Sequence, residues 1–82
     1  MDKTKIYDAS EIQDGFTKEV MKEVASNLEE RGYDYVNQMV GYLLSGDPGY
    51  ISSYKEARKK IQRLDRTKIL EALVRDYLKW DI

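Results

Sequence analysis

The feature that most constrains this chain is the stretch from Asn37 to Tyr54, NQMVGYLLSGDPGYISSY. An apolar run, a Gly-Asp-Pro-Gly corner and a second helix start follow one another in it, an order that suits a tight turn between helices. Met39, Val40, Leu43 and Leu44 recur with a period near 3.6, and Gly46 stands where a helix C-terminus takes a left-handed residue. Asp47 then offers an N-cap oxygen, and Pro48 supplies the fixed φ of a first helical turn. Gly41 lies inside the first of these helices, where glycine costs about 1 kcal/mol relative to alanine. A close approach by another element would account for it.

On either side the helical signals continue. Asp14-Gly15 precedes a helix predicted from Phe16 to Glu30, with Phe16, Val20, Val24 and Leu28 at four-residue spacing and Met21 and Ala25 widening the stripe. Arg31 and Gly32 close it. Asp34 is the predicted cap of a helix over Tyr35–Leu44, and one turn after the corner carries Tyr50 and Ile51. Ser53 with Glu56 three residues later reads as a capping box, which predicts a third helix from Tyr54 to Leu64. Its apolar edge is narrow: Tyr54, Ala57, Ile61 and Leu64. Asp65 caps a last helix from Arg66 to about Lys79, where Ile69, Leu70, Leu73, Val74, Tyr77 and Leu78 form the strongest amphipathic stripe of the chain. No alternation suggests strands. The expected fold is all-α: a compact bundle of four main helices plus a short turn helix, with residues 1–12 a flexible N-terminal tail and 13–82 a single domain.

Composition limits the chemistry. A chain of 82 residues is one small domain, and it buries only about 60% of its unfolded surface. With no cysteine, neither disulfides nor Cys-rich zinc sites can supplement the core, so oligomerisation is the natural supplement. Histidine, the commonest general base and metal ligand, is absent as well. Paired carboxylates such as Glu29 and Glu30 need a concave pocket to become an acid–base pair, and are read more simply as a solvated helix end. Asp47 is explained by its cap. Gly46-Asp47-Pro48-Gly49 lacks the Lys-Ser/Thr ending of a phosphate-binding loop. The chain is therefore expected to be no enzyme and to carry no cofactor or metal. It shows no signal peptide and no long apolar segment, so the expected location is cytoplasmic, without membrane insertion.

The last helix is apolar over nearly half its circumference, more than one small bundle covers. A homodimer is expected, with an interface drawn from the second and last helices. The one candidate binding surface is the basic cluster Lys55, Arg58, Lys59, Lys60, Arg63, Arg66 and Lys68, with Tyr50 and Tyr54 beside it. Such a face can grip phosphates, as on a nucleic acid. Against that, Lys+Arg 14 and Asp+Glu 15 balance to a net charge of −1, so nothing draws the whole molecule to a polyanion. A small helical nucleic-acid-binding protein is the alternative reading. A solvated charged face with Glu56, Asp65 and Glu71 interspersed is the bland one.

The segment Asn37-Gln38-x-Val40-Gly41-Tyr42-Leu43-Leu44-Ser45-Gly46-Asp47-Pro48-x-Tyr50-Ile51 closely resembles the IreB family of small regulatory phosphoproteins from Gram-positive bacteria. The likeness continues through Tyr54-Lys55-x-Ala57-Arg58, Ile61-x-Arg63-Leu64-x-Arg66 and Ile69-Leu70-Glu71-x-Leu73-Val74-x-x-Tyr77-Leu78. The resemblance implies a helical dimer that is the substrate of a transmembrane PASTA-type Ser/Thr kinase and its opposing phosphatase. The implied role is in cell-envelope homeostasis and in restraining intrinsic cephalosporin resistance. It also implies phosphoacceptor threonines in the N-terminal tail. Asp2-Lys3-Thr4 followed by Tyr7 matches that pattern and nominates Thr4, while the place of a second threonine, three residues earlier, is held by Met1. The surface expected to meet a downstream protein comprises Tyr42, Tyr50, Tyr54, Arg58, Lys59 and Arg63.

Overall fold

The structure, a computed structural model, describes residues 9–79; Thr4 and the rest of the first eight residues lie outside them. Among the described residues the chain is helical throughout, with no strand: α1 (Ala9–Glu30), α2 (Tyr35–Ser45), a 3-10 turn (Pro48–Tyr50), a second short turn (Tyr54–Glu56), α3 (Ala57–Gln62) and α4 (Arg66–Leu78). No helix is long and apolar enough to cross a membrane among these residues.

Helix α1, 22 residues and thus about 33 Å long, is the spine against which the others pack. It begins at Ala9, about two turns before the expected start at Phe16, so residues 9–12 of the expected tail are helical. Glu11 in the first turn complements the helix dipole, and Asp14 is held by a distant ion pair described below. Phe16 is also corrected: it is 56% exposed, and Thr17 takes the buried place at 2%. The reason is helical phase. Each four-residue step overshoots a full turn by about 40°. Two steps back from Val24, Phe16 has swung off the stripe, whereas Thr17 lies close to its centre.

Gly32 (φ 85°) ends α1 as expected. Its N–H donates to Glu29 O at 2.9 Å and that of Tyr33 to Leu28 O at 2.9 Å, the paired bonds of a Schellman motif. Asp34 Oδ1 then accepts from Asn37 N at 3.1 Å, capping α2. At the far end of α2, Gly46 adopts φ 77° and donates to Tyr42 O at 2.7 Å.

The core joins Val20, Val24 and Leu28 of α1 to Met39 and Tyr42 of α2, Ile51 after the first 3-10 turn, Ala57 and Ile61 of α3, Leu64, and Ile69 of α4. In α2 the buried face is Met39 and Tyr42, with Leu43 at its edge; Val40 and Leu44 of the expected stripe point outward. In α4 only Ile69 is buried. Asp65 caps that helix as expected, its Oδ1 accepting from Thr67 N at 2.8 Å. Leu70, Leu73, Val74, Tyr77 and Leu78 remain exposed.

Candidate functional site: the corner and the face of α3

The corner is held by short-range polar contacts. Asp47 Oδ1 accepts from Gly49 N at 2.8 Å, and Ser45 Oγ accepts from Asp47 N at 2.9 Å. Gln38 Oε1 accepts from Ser52 N at 2.9 Å, tying α2 to the segment beyond the corner. The ring of Tyr50 lies flat against Gly41. A Cβ at that glycine would fall 2.8 Å from Tyr50 Cε1 and 2.9 Å from Cγ, so the close approach that Gly41 foreshadows is an aromatic one. Tyr50 is nonetheless half open to solvent.

The basic cluster does not form one continuous surface. Arg58 is half-buried and turned inward, its Nε donating to Ile51 O at 2.8 Å. Lys60 reaches Glu23 Oε2 at 2.8 Å and Asn27 Oδ1 at 2.8 Å, which satisfies the buried amide of Asn27. Arg66 Nη1 donates to Leu43 O at 2.8 Å, satisfying a carbonyl at the end of α2, and its guanidinium covers Gly46. Lys68 pairs with Glu71 at 3.7 Å. Lys59 and Arg63 are exposed; Lys59 pairs loosely with Glu56 at 3.6 Å, and Glu23 is held in its ionised form by the Lys60 hydrogen bond first, with the charge of Arg63 a lesser aid. Four cations that sequence spacing groups as a phosphate grip (Arg58, Lys60, Arg66 and Lys55) are thus engaged within the molecule. Charge alone could not reveal this, because it depends on which carbonyls and carboxylates the packing leaves bare.

Lys55 belongs to a separate cluster at the end of α1. Its Nζ is chelated by both oxygens of Glu30, at 3.1 and 2.9 Å, and Tyr54 Oη donates to Glu30 Oε2 at 3.1 Å. The Arg31 guanidinium lies over the Tyr54 ring, 5.5 Å from its centroid. The hydrogen bonds from Lys55 and then Tyr54 push the Glu30 carboxyl below its ordinary range, and the Glu30 carboxylate raises Lys55 in turn. The backbone here departs from the expected helix. Lys55 (φ 51°) and Glu56 (φ 64°) are both left-handed, Ser53 makes no side-chain cap, and α3 starts only at Ala57. The expected capping box is therefore not formed, because tertiary contacts to Glu30 hold the chain in another path.

Of the surface expected to meet a partner, the structure keeps Tyr50, Tyr54, Lys59 and Arg63 at least partly accessible along the corner and α3. Tyr42 is corrected: at 6% exposure its ring is part of the core and offers no contact surface. Helical phase explains it, since Met39 and Tyr42 share a face while Val40 stands on the next. Among the described residues no group of three His, Cys, Asp or Glu side chains converges as a metal would require.

A larger feature is apolar. Val36, Val40 and Leu44 recur at four-residue spacing on the outer side of α2, with Leu44 83% exposed. On α4, Leu70, Leu73, Val74 and Tyr77 form a second exposed stripe, with Tyr77 83% exposed. The C-terminal half of α4 is held to α1 by Arg75, which meets Asp14 in a fork at 2.7 and 2.8 Å.

A family model described as IreB regulatory phosphoprotein matches residues 2–79, nearly the whole chain and including both the corner and the exposed stripe of α4. The chain belongs to the IreB family of regulatory phosphoproteins.

Proposed function

We propose that this chain is a non-catalytic, homodimeric regulator whose N-terminal segment is phosphorylated at Thr4 by a PASTA-type Ser/Thr kinase and cleared by the opposing phosphatase. Its output is cell-envelope homeostasis and cephalosporin resistance. The observation that carries the reading is family membership across residues 2–79. The geometry supports the homodimer in kind, since two apolar stripes lie uncovered on α2 and α4. A second copy is the occupant proposed for those stripes. Tyr50, Tyr54, Lys59 and Arg63 form the face offered to a downstream protein, with Arg58 shaping it from beneath.

A phosphate on Thr4 carries about −1.5 to −2 charge between Lys3 and Lys5 and reverses the local sign. Incubation with the kinase followed by tandem mass spectrometry tests the reading. Phosphate at Thr4 that disappears in Thr4→Ala is the expected result; an active kinase that leaves the first eight residues unmodified would sink it. The output is tested separately. Alanine at Tyr50, Lys59 and Arg63 together is expected to abolish regulation of resistance in cells, and an intact phenotype removes that face from the mechanism.

A further inference from the structure

Ser53-x-x-Glu56 is a complete capping box for a helix starting at Tyr54, yet the molecule leaves it unused and instead runs two successive non-glycine residues, Lys55 (φ 51°) and Glu56 (φ 64°), through left-handed conformation. For L residues that region is costly, and a pair in sequence persists only where surrounding contacts over-determine it. Those contacts converge on one carboxylate. Glu30 accepts from Lys55 Nζ at 3.1 and 2.9 Å and from Tyr54 Oη at 3.1 Å. Ser52 Oγ adds a further polar contact, accepting from Tyr54 N at 3.1 Å.

We propose that residues 53–56 are a two-state element with Glu30 as its latch. In the latched state α3 is the observed six-residue helix. With the latch released, Ser53 becomes the N-cap, Glu56 reaches back to the Ser53 N–H, and Tyr54–Glu56 join α3 as its first turn. The Ala57 N–H, now bonded to Tyr54 O, shifts to Ser53 O, and the Arg58 N–H takes Tyr54 O. Release moves the Tyr54 ring away from Arg31, frees the Lys55 ammonium, and draws Glu56 off Lys59. The charge and aromatic pattern of the α3 face then changes. This rests on the structure alone and holds whether or not Thr4 is phosphorylated. What it adds to the regulatory reading is a local conformational equilibrium inside the face proposed to meet a partner.

Glu30→Gln tests it, because the amide keeps the size of the latch and removes its charge. Three-bond scalar couplings give the sign of φ at residues 55 and 56, and cooperative thermal unfolding verifies that the chain remains folded. The expected result is positive φ at both residues in the wild-type chain and right-handed values, with Ala57 and Arg58 amides more protected, in Glu30→Gln. Positive φ retained in a folded Glu30→Gln chain, or a segment 53–56 that loses order instead of becoming helical, would overturn the proposal. Ser53→Ala provides the second readout. It is expected to be silent in the wild-type background and to reverse the helical shift in Glu30→Gln; an equal effect in both backgrounds contradicts a latent cap.

Discussion

At the scale of single residues, two glycines and one threonine show how context sets the value of a side chain. Alanine at Gly41 would improve helix propensity by about 1 kcal/mol, yet its methyl group would enter the Tyr50 ring, 2.8 Å from Cε1. Overpacking of this kind costs about 1–3 kcal/mol. Gly41→Ala is therefore expected to lower the urea midpoint, and Gly41→Ala with Tyr50→Ala to recover part of the loss. Gly46 is constrained twice, by φ 77° and by the Arg66 guanidinium 2.8 Å from where a Cβ would stand. Thr17 is the opposite case: its Oγ1 is buried without a hydrogen-bond partner among the described residues. Replacing it by the near-isosteric valine removes an unsatisfied polar group, so Thr17→Val is expected to stabilise the fold by about 1 kcal/mol in denaturant titrations. A loss of stability would mean that the hydroxyl is satisfied in solution.

The helical elements divide into those whose ends are written locally and those decided by tertiary contact. Asp34, Gly46, Asp47-Pro48 and Asp65 could be read directly, because each cap acts within a few residues of itself and the structure shows each in place. The start of α3 could not. Ser53 and Glu56 offer a good local solution, but Glu30, more than twenty residues upstream, binds Lys55 and Tyr54 more favourably. The early turns of α1 carry a contact of the same long-range kind, the Asp14–Arg75 pair, whose partners stand far apart in the sequence. Even spacing misled where it drifts from 3.6, at Phe16. Legibility of the candidate face follows the same division: Tyr50 and Lys59 stay accessible, whereas Arg58, Lys60 and Arg66 were taken up by carbonyl and side-chain oxygens that only packing exposes.

The latch also has a pH signature. Hydrogen bonds from Lys55 and Tyr54 hold the Glu30 carboxyl below its ordinary value of 4.5. A carboxyl lowered in the folded state contributes stability that is fully present above its unfolded value and is lost as pH falls through the folded one. Glu30 is thus ionised and latched near neutrality, and the latch weakens as pH falls below the ordinary glutamate range. A carboxyl-carbon NMR titration is expected to place the Glu30 midpoint below that of an unstructured glutamate, and Lys55→Met to raise it. Equal midpoints in the two chains would show that Lys55 does not hold Glu30.

For the whole molecule, the core is small and the uncovered apolar surface large for its size. Among the described residues ten buried hydrophobic side chains form the core, while Val36, Val40 and Leu44 on α2 and Leu70, Leu73, Val74 and Tyr77 on α4 face outward. The amphipathic strength of α4 was plain in the sequence, and so was the mismatch with what one copy can bury. An exposed apolar stripe such as that of α4 marks an interaction site. A charge placed at its centre, as in Val74→Glu, is expected to weaken self-association by at least tenfold while α1–α3 remain folded by circular dichroism. Sedimentation equilibrium of the full chain tests the central claim most directly. A dimer at micromolar concentration, twice the 9.6 kDa of one chain and dissociated by Val74→Glu, is the predicted result. A monomer at every concentration up to the millimolar range would contradict it, and leave the face of α2 and α4 to a different protein.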